Sequence, residues 1–534
     1  MTHPLLAQAA ADVSYWPLGI LAISVAFIFV SIIKLKLHPF LALIFAAILT
    51  GLLTGDLPGM STENVGLFKS RVALNDTPAD TGNDMLLAVN WSLLAFGNTA
   101  AGIGFVVALA AIIGVCMLGS GAADRVVRWL LSVFGEKRAG LVLLSSGFLL
   151  SIPVFFDTVF FLLIPLARAL SLRTGKSYTL FVMAMAGAGA ITHSMVPPTP
   201  GPLMIAEGLK LDLGIAMMAG LAASVLPAWL VLFLAKRFDR KFNLPMRDVP
   251  GASTSELKTI VDKKDSELPN LFLSALPIAL PVILISLVSI LNLVAKDSVS
   301  GAAWFRYLEF FGSPNIAMLL AALVAIYTLA AQTIREKRPM EGGLMSTLSK
   351  ALEDPLQTAG VIILITGAGG AFGGMIRLAG VGETIEAVAT SYNISLILLA
   401  WGATAVVRIA QGSATVAMIT GVGLMSAVIG DGSSLPYHPL YIFLAIGFGS
   451  ITLSWMNDSG FWVVQRLSGF TEKEMLKTWT VMLTAISVAG LLQVLVMAEV
   501  LPMKPVPAQK TSQVSSVPAL GSAALDELRL HRRK

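Results

Sequence analysis

The feature that most limits this chain is the recurrence of long apolar stretches along nearly its whole length. Each runs roughly 18–25 residues, enough for an α-helix to cross about 30 Å of hydrocarbon. With 56% hydrophobic and 13% charged residues, the chain lies far from the soluble globular average, in which about a quarter of residues are charged. The pattern predicts ten spans: Trp16–Ile33, Pro39–Gly55, Trp91–Leu118, Tyr178–Leu209, Leu213–Lys236, Leu271–Val294, Pro314–Ala331, Pro355–Leu378, Pro439–Gln465 and Thr478–Leu501. Two further apolar blocks, Ala139–Leu170 and Ser395–Met425, do not fit as single crossings.

Positive charge gives the reason. Lys34 and Lys36, the Arg125–Arg138 cluster, Arg168 to Lys176, the run from Lys236 to Lys264, Arg335 to Arg338 and Arg466 to Lys477 all belong on the cytoplasmic side. Ala139–Leu170 is basic on both flanks, so it is expected to enter the membrane and return on the same side. The same count makes Ser395–Met425 a hairpin from the outside, and leaves both termini outside the cytoplasm. Met1–Trp16 carries no Lys or Arg, the opposite of a cleaved signal, so the first run is expected to be a retained helix. The net charge of +5 sits mostly in short loops and reports orientation; no nucleic-acid partner is expected.

The halves resemble each other. Gly119 and Gly380, each in a short glycine-containing turn, are 261 positions apart (380 − 119). The same offset carries His193–Gly201 onto Ser454–Trp462 and the tip of the first hairpin onto Ser413-Ala414. Five spans per half require the second half to be inverted. The expected fold is therefore an all-α polytopic membrane protein: residues 1–236 a first inverted repeat with its hairpin at about 139–170, 237–270 a cytoplasmic linker, 271–501 a second repeat with its hairpin at about 395–425, and 502–534 a disordered tail.

Four interruptions carry polar chemistry at membrane depth. In the first hairpin, Ser151 and Pro153 mark a break and are candidate substrate contacts, and Asp157 follows in an apolar setting where an ionisable group costs about 3 kcal/mol or more. Asp157 suits a proton carrier; the alternative, compatible with it, is a cap for the returning arm. In the second hairpin, Gln411, Gly412, Ser413 and Thr415 can form a neutral nest for an anion. Arg408 either binds a substrate carboxylate or pairs with an acid elsewhere. The span from Tyr178 is broken by four prolines between Pro197 and Pro202, which frees main-chain groups around Thr192, Pro198, Thr199 and Gly201 as substrate contacts. His193, of a residue type that titrates near neutral pH, is a second candidate for proton transfer or a buried structural group. In the second half Asn457 and Ser459 can bond hydroxyls, and Asp458 is a third proton candidate or a helix cap.

Six stretches in chain order resemble the gluconate permease (gluconate:proton symporter) family, which includes importers of D-serine and other sugar acids. They are KLKLHPFLAL at Lys34–Leu43, FGEKRAG at Phe134–Gly140, IPVFFD at Ile152–Asp157, THSMVPPTPGP at Thr192–Pro202, RIAQGSATVA at Arg408–Ala417 and NDSGFW at Asn457–Trp462. The resemblance implies proton symport, a homodimer, and an elevator-type division into scaffold and transport domains, as in the wider ion-transporter superfamily. It departs at Thr199, where the family commonly has His.

The expected function is proton-coupled import of a small hydroxylated carboxylate across a bacterial inner membrane, with no cofactor beyond the proton gradient. A sodium-coupled carboxylate carrier of the same superfamily is the alternative. Such carriers resemble one another in a Ser-Asn-Thr triplet at both hairpin tips, which this chain lacks. An intramembrane hydrolase would need a nucleophile and base or paired metal ligands. The five histidines include one at a candidate site, and the single Cys116 rules out a Cys-based cluster, so neither an enzyme nor a metal site is expected.

Overall fold

The computed structural model describes residues 14–55, 57–58, 84–174, 177–247, 265–295, 302–340, 342–382, 384, 395–429 and 435–503, and all regular structure among them is helical. The expected disordered tail (from 504) and the middle of the linker lie outside the described residues. In the first half the helices are α1 (Trp16–Phe29, prolonged by a π-helical turn at Val30–Lys34), α2 (Pro39–Thr54), α3 (Asp84–Ser120), α4 (Ala122–Phe134), α5 (Ala139–Leu150), α6 (Phe156–Thr174), α7 (Tyr178–Met195), α8 (Pro200–Gly208), α9 (Leu213–Ala223) and α10 (Val225–Phe242). In the second half they are α11 (Leu271–Val294), α12 (Ala303–Gly312), α13 (Pro314–Arg335), α14 (Gly343–Leu378), α15 (Leu396–Gln411), α16 (Ala414–Ile429), α17 (Leu440–Gly449), α18 (Ser459–Ser468), α19 (Glu472–Met475) and α20 (Val481–Val500).

Seven of the ten expected spans are long and apolar enough to cross a membrane: α3, α7 with α8, α9 with α10, α11, α13, α14, and α19 with α20. The other three expected spans are the shorter helices α1 and α2, and the broken pair α17 and α18. Several run further than hydropathy alone suggests. Helix α14 starts at Gly343 and passes through Pro355, whereas Pro355 was expected to open it. The proline is tolerated there because a helix needs tertiary support more than an unbroken ladder.

Both apolar blocks are helix–break–helix units. The α5 and α6 arms pack on each other, as do α15 and α16. Between them lies a centre made of α7, α8, α16 and α17; every residue of α17 is buried, and nearly every residue of α7. Small residues set these distances. A Cβ on Gly147 would lie 2.6 Å from the Met185 carbonyl oxygen, so α5 touches the α7 backbone only because that side chain is absent. Outside this centre, α3 and α14 lie along one another, flanked by α2 and α13. Helix α11 shows Phe272, Ile283 and Leu293 on its outer side, an apolar surface suited to acyl chains.

Candidate functional site

The four interruptions meet. A cavity of about 360 Å³ is bounded by the first hairpin's tip, the end of α7, the second hairpin's tip and the break between α17 and α18. Of the residues singled out in the sequence, Asp157, His193, Arg408, Ser413, Thr415, Asp458 and Ser459 line it.

Each is held by local structure. The first hairpin turns through Ser151–Phe155, and Asp157 stands in the first turn of α6, where the helix dipole favours a negative group. Helix α15 ends at Gly412, whose φ of +90° is a left-handed conformation that L-residues seldom take. A Cβ there would also lie 2.1 Å from the Asn457 carbonyl oxygen, so glycine is what lets the second hairpin's tip touch the second break. The Val416 amide donates to Ser413 Oγ at 3.3 Å, which starts α16 with its first amides toward the tip. Asp458 caps α18, accepting from the Gly460 amide at 2.9 Å, as the capping alternative anticipated.

Asp458 does more than cap. Arg408 Nη2 donates to its Oδ2 at 2.5 Å, and Ser454 Oγ donates to the same oxygen. Trp479 Nε1 in turn donates to Ser454 Oγ at 2.7 Å, and its ring packs on Phe156 with centroids 5.8 Å apart. The Arg408 side chain is 3% exposed. Its Nε and Nη1 are buried and find no hydrogen-bond partner among the described residues. A guanidinium has five N–H donors, and leaving donors buried and unmet costs about 1–3 kcal/mol each. His193 Nδ1 is likewise buried without a partner among the described residues. One cation with unspent donors therefore shares a cavity with two carboxyls and an imidazole. That arrangement can hold an anion and exchange protons beside it.

The remaining expected contacts stand behind the lining. Thr199 is buried, and its Oγ1 donates to the His193 and Val196 carbonyls at 3.0 and 2.7 Å, so it locks the proline-rich break and turns away from the cavity. Thr192 Oγ1 donates to the Phe148 and Ala188 carbonyls, tying α7 to α5. Pro198 and Gly201 are buried in the break, and Ser151 and Pro153 in the hairpin turn. Asn457 Nδ2 donates to the Ile409 carbonyl at 2.8 Å and so fastens one tip to the other break; Gln411 Oε1 is buried without a partner among the described residues. Sequence reasoning missed Thr158, Thr358, Ile362, Trp479 and Leu483 in the lining. Thr158 adjoins Asp157 and was within reach of the pattern; Thr358, Ile362 and Leu483 sit inside long helices, and Trp479 in the π-helical turn Leu476–Thr480 that joins α19 to α20, with nothing in the sequence to mark them.

Comparison with known proteins identifies the family and the fold. The model of the GntP family permeases matches residues 83–500. The gluconate permease of Pseudomonas aeruginosa is 34% identical over 88% of this chain and 95% of its own length. The Gnt-II system L-idonate transporter of Escherichia coli is 28% identical over 91% and 100%. Among solved structures, the YdaH transporter of Alcanivorax borkumensis shares the fold, with a TM-score of 0.58, 14% identity, and coverage of 88% of this chain and 100% of that one. A multi-pass helical chain matched by that family over most of its length, with permeases and transporters as its relatives, is a transporter and not an enzyme: the chain belongs to the GntP family of permeases.

Proposed function

We propose that the chain imports a small hydroxylated carboxylate of the gluconate type together with a proton, across a bacterial inner membrane. The observation that carries this reading is Arg408: buried, paired on one side to Asp458, and with Nε and Nη1 unspent in a cavity that also holds Asp157 and His193. A substrate carboxylate takes the unspent donors, and the substrate hydroxyls face Ser413, Thr415 and Ser459. The names of the Pseudomonas and Escherichia relatives point to the same class of acid.

Charge accounts for the coupling. Carrying a lone anion through hydrocarbon is costly, and a proton on Asp157, Asp458 or His193 cancels that charge. A substrate carboxylate on Nε and Nη1 competes with Asp458 for the remaining donor, Nη2, which a proton on Asp458 releases, so anion binding and protonation are joined at one guanidinium. No cofactor enters this scheme. The inverted repeats (1–236 and 271–501), a homodimer and elevator motion belong to the same proposal, supported by the matching interruptions at a 261-residue offset.

Thermal-shift titration of the purified protein with D-gluconate, glycerate and D-serine tests the substrate class. A hydroxy acid should stabilise the parent and fail to stabilise Arg408→Gln. Equal stabilisation of both proteins would remove Arg408 from the site.

A further inference from the structure

A second cavity, of about 440 Å³, lies between α3, α8, α14 and α16. Its charged residues are Arg377, Lys210 and Glu207, and Asn98, Thr99 and Ser426 add uncharged polar groups. The transport scheme above uses none of them.

The two cavities lie in series. Helix α14 meets the Arg408 cavity through Thr358 and Ile362, and the second cavity through Gly369 to Arg377. Ile362 and Gly369 are seven positions apart, about 10 Å along the axis. Helix α16 repeats the pattern: Ser413 and Thr415 face the first cavity, and Ile419, Val422 and Ser426 the second. Thr415 and Ile419 are one turn apart, about 6 Å. Within that turn Val416, Ala417 and Met418 are buried, and Met418 rests on Gly201, where an added Cβ would lie 2.0 Å from Met418 Cε. One turn of packed apolar side chains thus divides two cavities that approach it from opposite ends.

The charges differ at the two ends. A third cavity, of about 190 Å³, shares Phe155, Thr158 and Thr358 with the Arg408 cavity and carries the acid Asp354. At the internal offset one lining position coincides with the second cavity, Thr158 with Ile419 (158 + 261). The second cavity carries Arg377 and Lys210, set against one Glu207.

We propose that the second cavity is an outer vestibule that gathers the carboxylate substrate before it passes the α16 turn, with Arg377 the residue that favours anions there. The inference rests on the transport reading for its cargo and sidedness. Its chemistry is that of carboxylate recognition by a guanidinium, with amide and hydroxyl partners for the substrate's own hydroxyls.

The test uses Thr99→Cys, because the only native cysteine, Cys116, is buried. Intact cells are treated with membrane-impermeant methanethiosulfonates of similar size, one anionic and one cationic. The anionic reagent should react about tenfold faster, as expected for a charged cleft that concentrates its counter-ion. Arg377→Gln in the same background should bring the two rates together, and Arg377→Lys should restore the difference. In proteoliposomes Arg377→Gln should raise KM for D-gluconate about tenfold with kcat little changed. Equal rates in Thr99→Cys, labelling only from the cytoplasmic face, or an unchanged ratio after Arg377→Gln overturns the vestibule. The labelling ratio needs no transport, so it judges the vestibule even if wild-type protein fails to carry D-gluconate, which would count against the transport reading alone.

Discussion

Asp458→Asn changes one atom and keeps the side-chain shape. The amide oxygen can still accept from the Gly460 amide, so the cap of α18 survives. The other position becomes an NH2 that faces Arg408 Nη2 and Ser454 Oγ, both donors to Asp458 in the parent. Arg408, 3% exposed, is then a buried cation without its anion. Removing one partner of such a pair costs about 3–5 kcal/mol. The variant should therefore unfold at clearly lower temperature than the parent in detergent without substrate. It should also bind the substrate anion more tightly, because that anion no longer competes with Asp458. A charge-assisted hydrogen bond contributes about 1.5–3 kcal/mol, which sets the gain at about tenfold to a hundredfold in Kd. Thermal unfolding with and without D-gluconate, together with equilibrium binding, reads both effects. A variant as stable as the parent, or one that binds D-gluconate more weakly, would show that Asp458 and substrate do not compete for Arg408.

Asp157→Asn should abolish accumulation driven by a pH gradient while leaving substrate counterflow and the folded state intact; full accumulation would take Asp157 out of coupling. Gly412→Ala meets both a φ of +90° and the Asn457 carbonyl, so it should cost more than about 1 kcal/mol and stop transport, read by unfolding and uptake. Arg247→Ala removes a two-pronged pair with Glu474 at 2.7 and 2.8 Å on a partly exposed surface, and should lower stability by about 1 kcal/mol with KM unchanged. A reporter fused after Leu501 should lie outside the cytoplasm; a cytoplasmic signal would break the ten-span topology.

What the sequence disclosed and what it hid divide along physical lines. Prolines, glycines and acids inside apolar runs contrast with their surroundings, and so Asp157, Gly412 and Asp458 stood out before any coordinates. Long spans were visible for the same reason, although Pro355 looked like a helix start and lies inside α14. Side-chain direction is set by packing and could not be read. Thr199 sits in the right break yet spends its hydroxyl on the His193 and Val196 carbonyls. The partner of Arg408 was left open because Asp458 is fifty residues away and only the meeting of α15 with the α17–α18 break joins them. Trp479 and Thr358 reach the cavity from helices whose local pattern is that of any span. The second cavity was invisible, being made where four helices fail to fill the space between them.

The central claim is that one buried guanidinium and its neighbouring acids take up an anion and a proton together. The most direct measurement loads proteoliposomes with a pH-sensitive dye, imposes no gradient, and adds D-gluconate outside in sodium-free buffer. The lumen should acidify in step with gluconate uptake for the parent protein and stay unchanged for Arg408→Gln. Gluconate uptake with no change in internal pH, or uptake that appears only when sodium is supplied, would contradict the account.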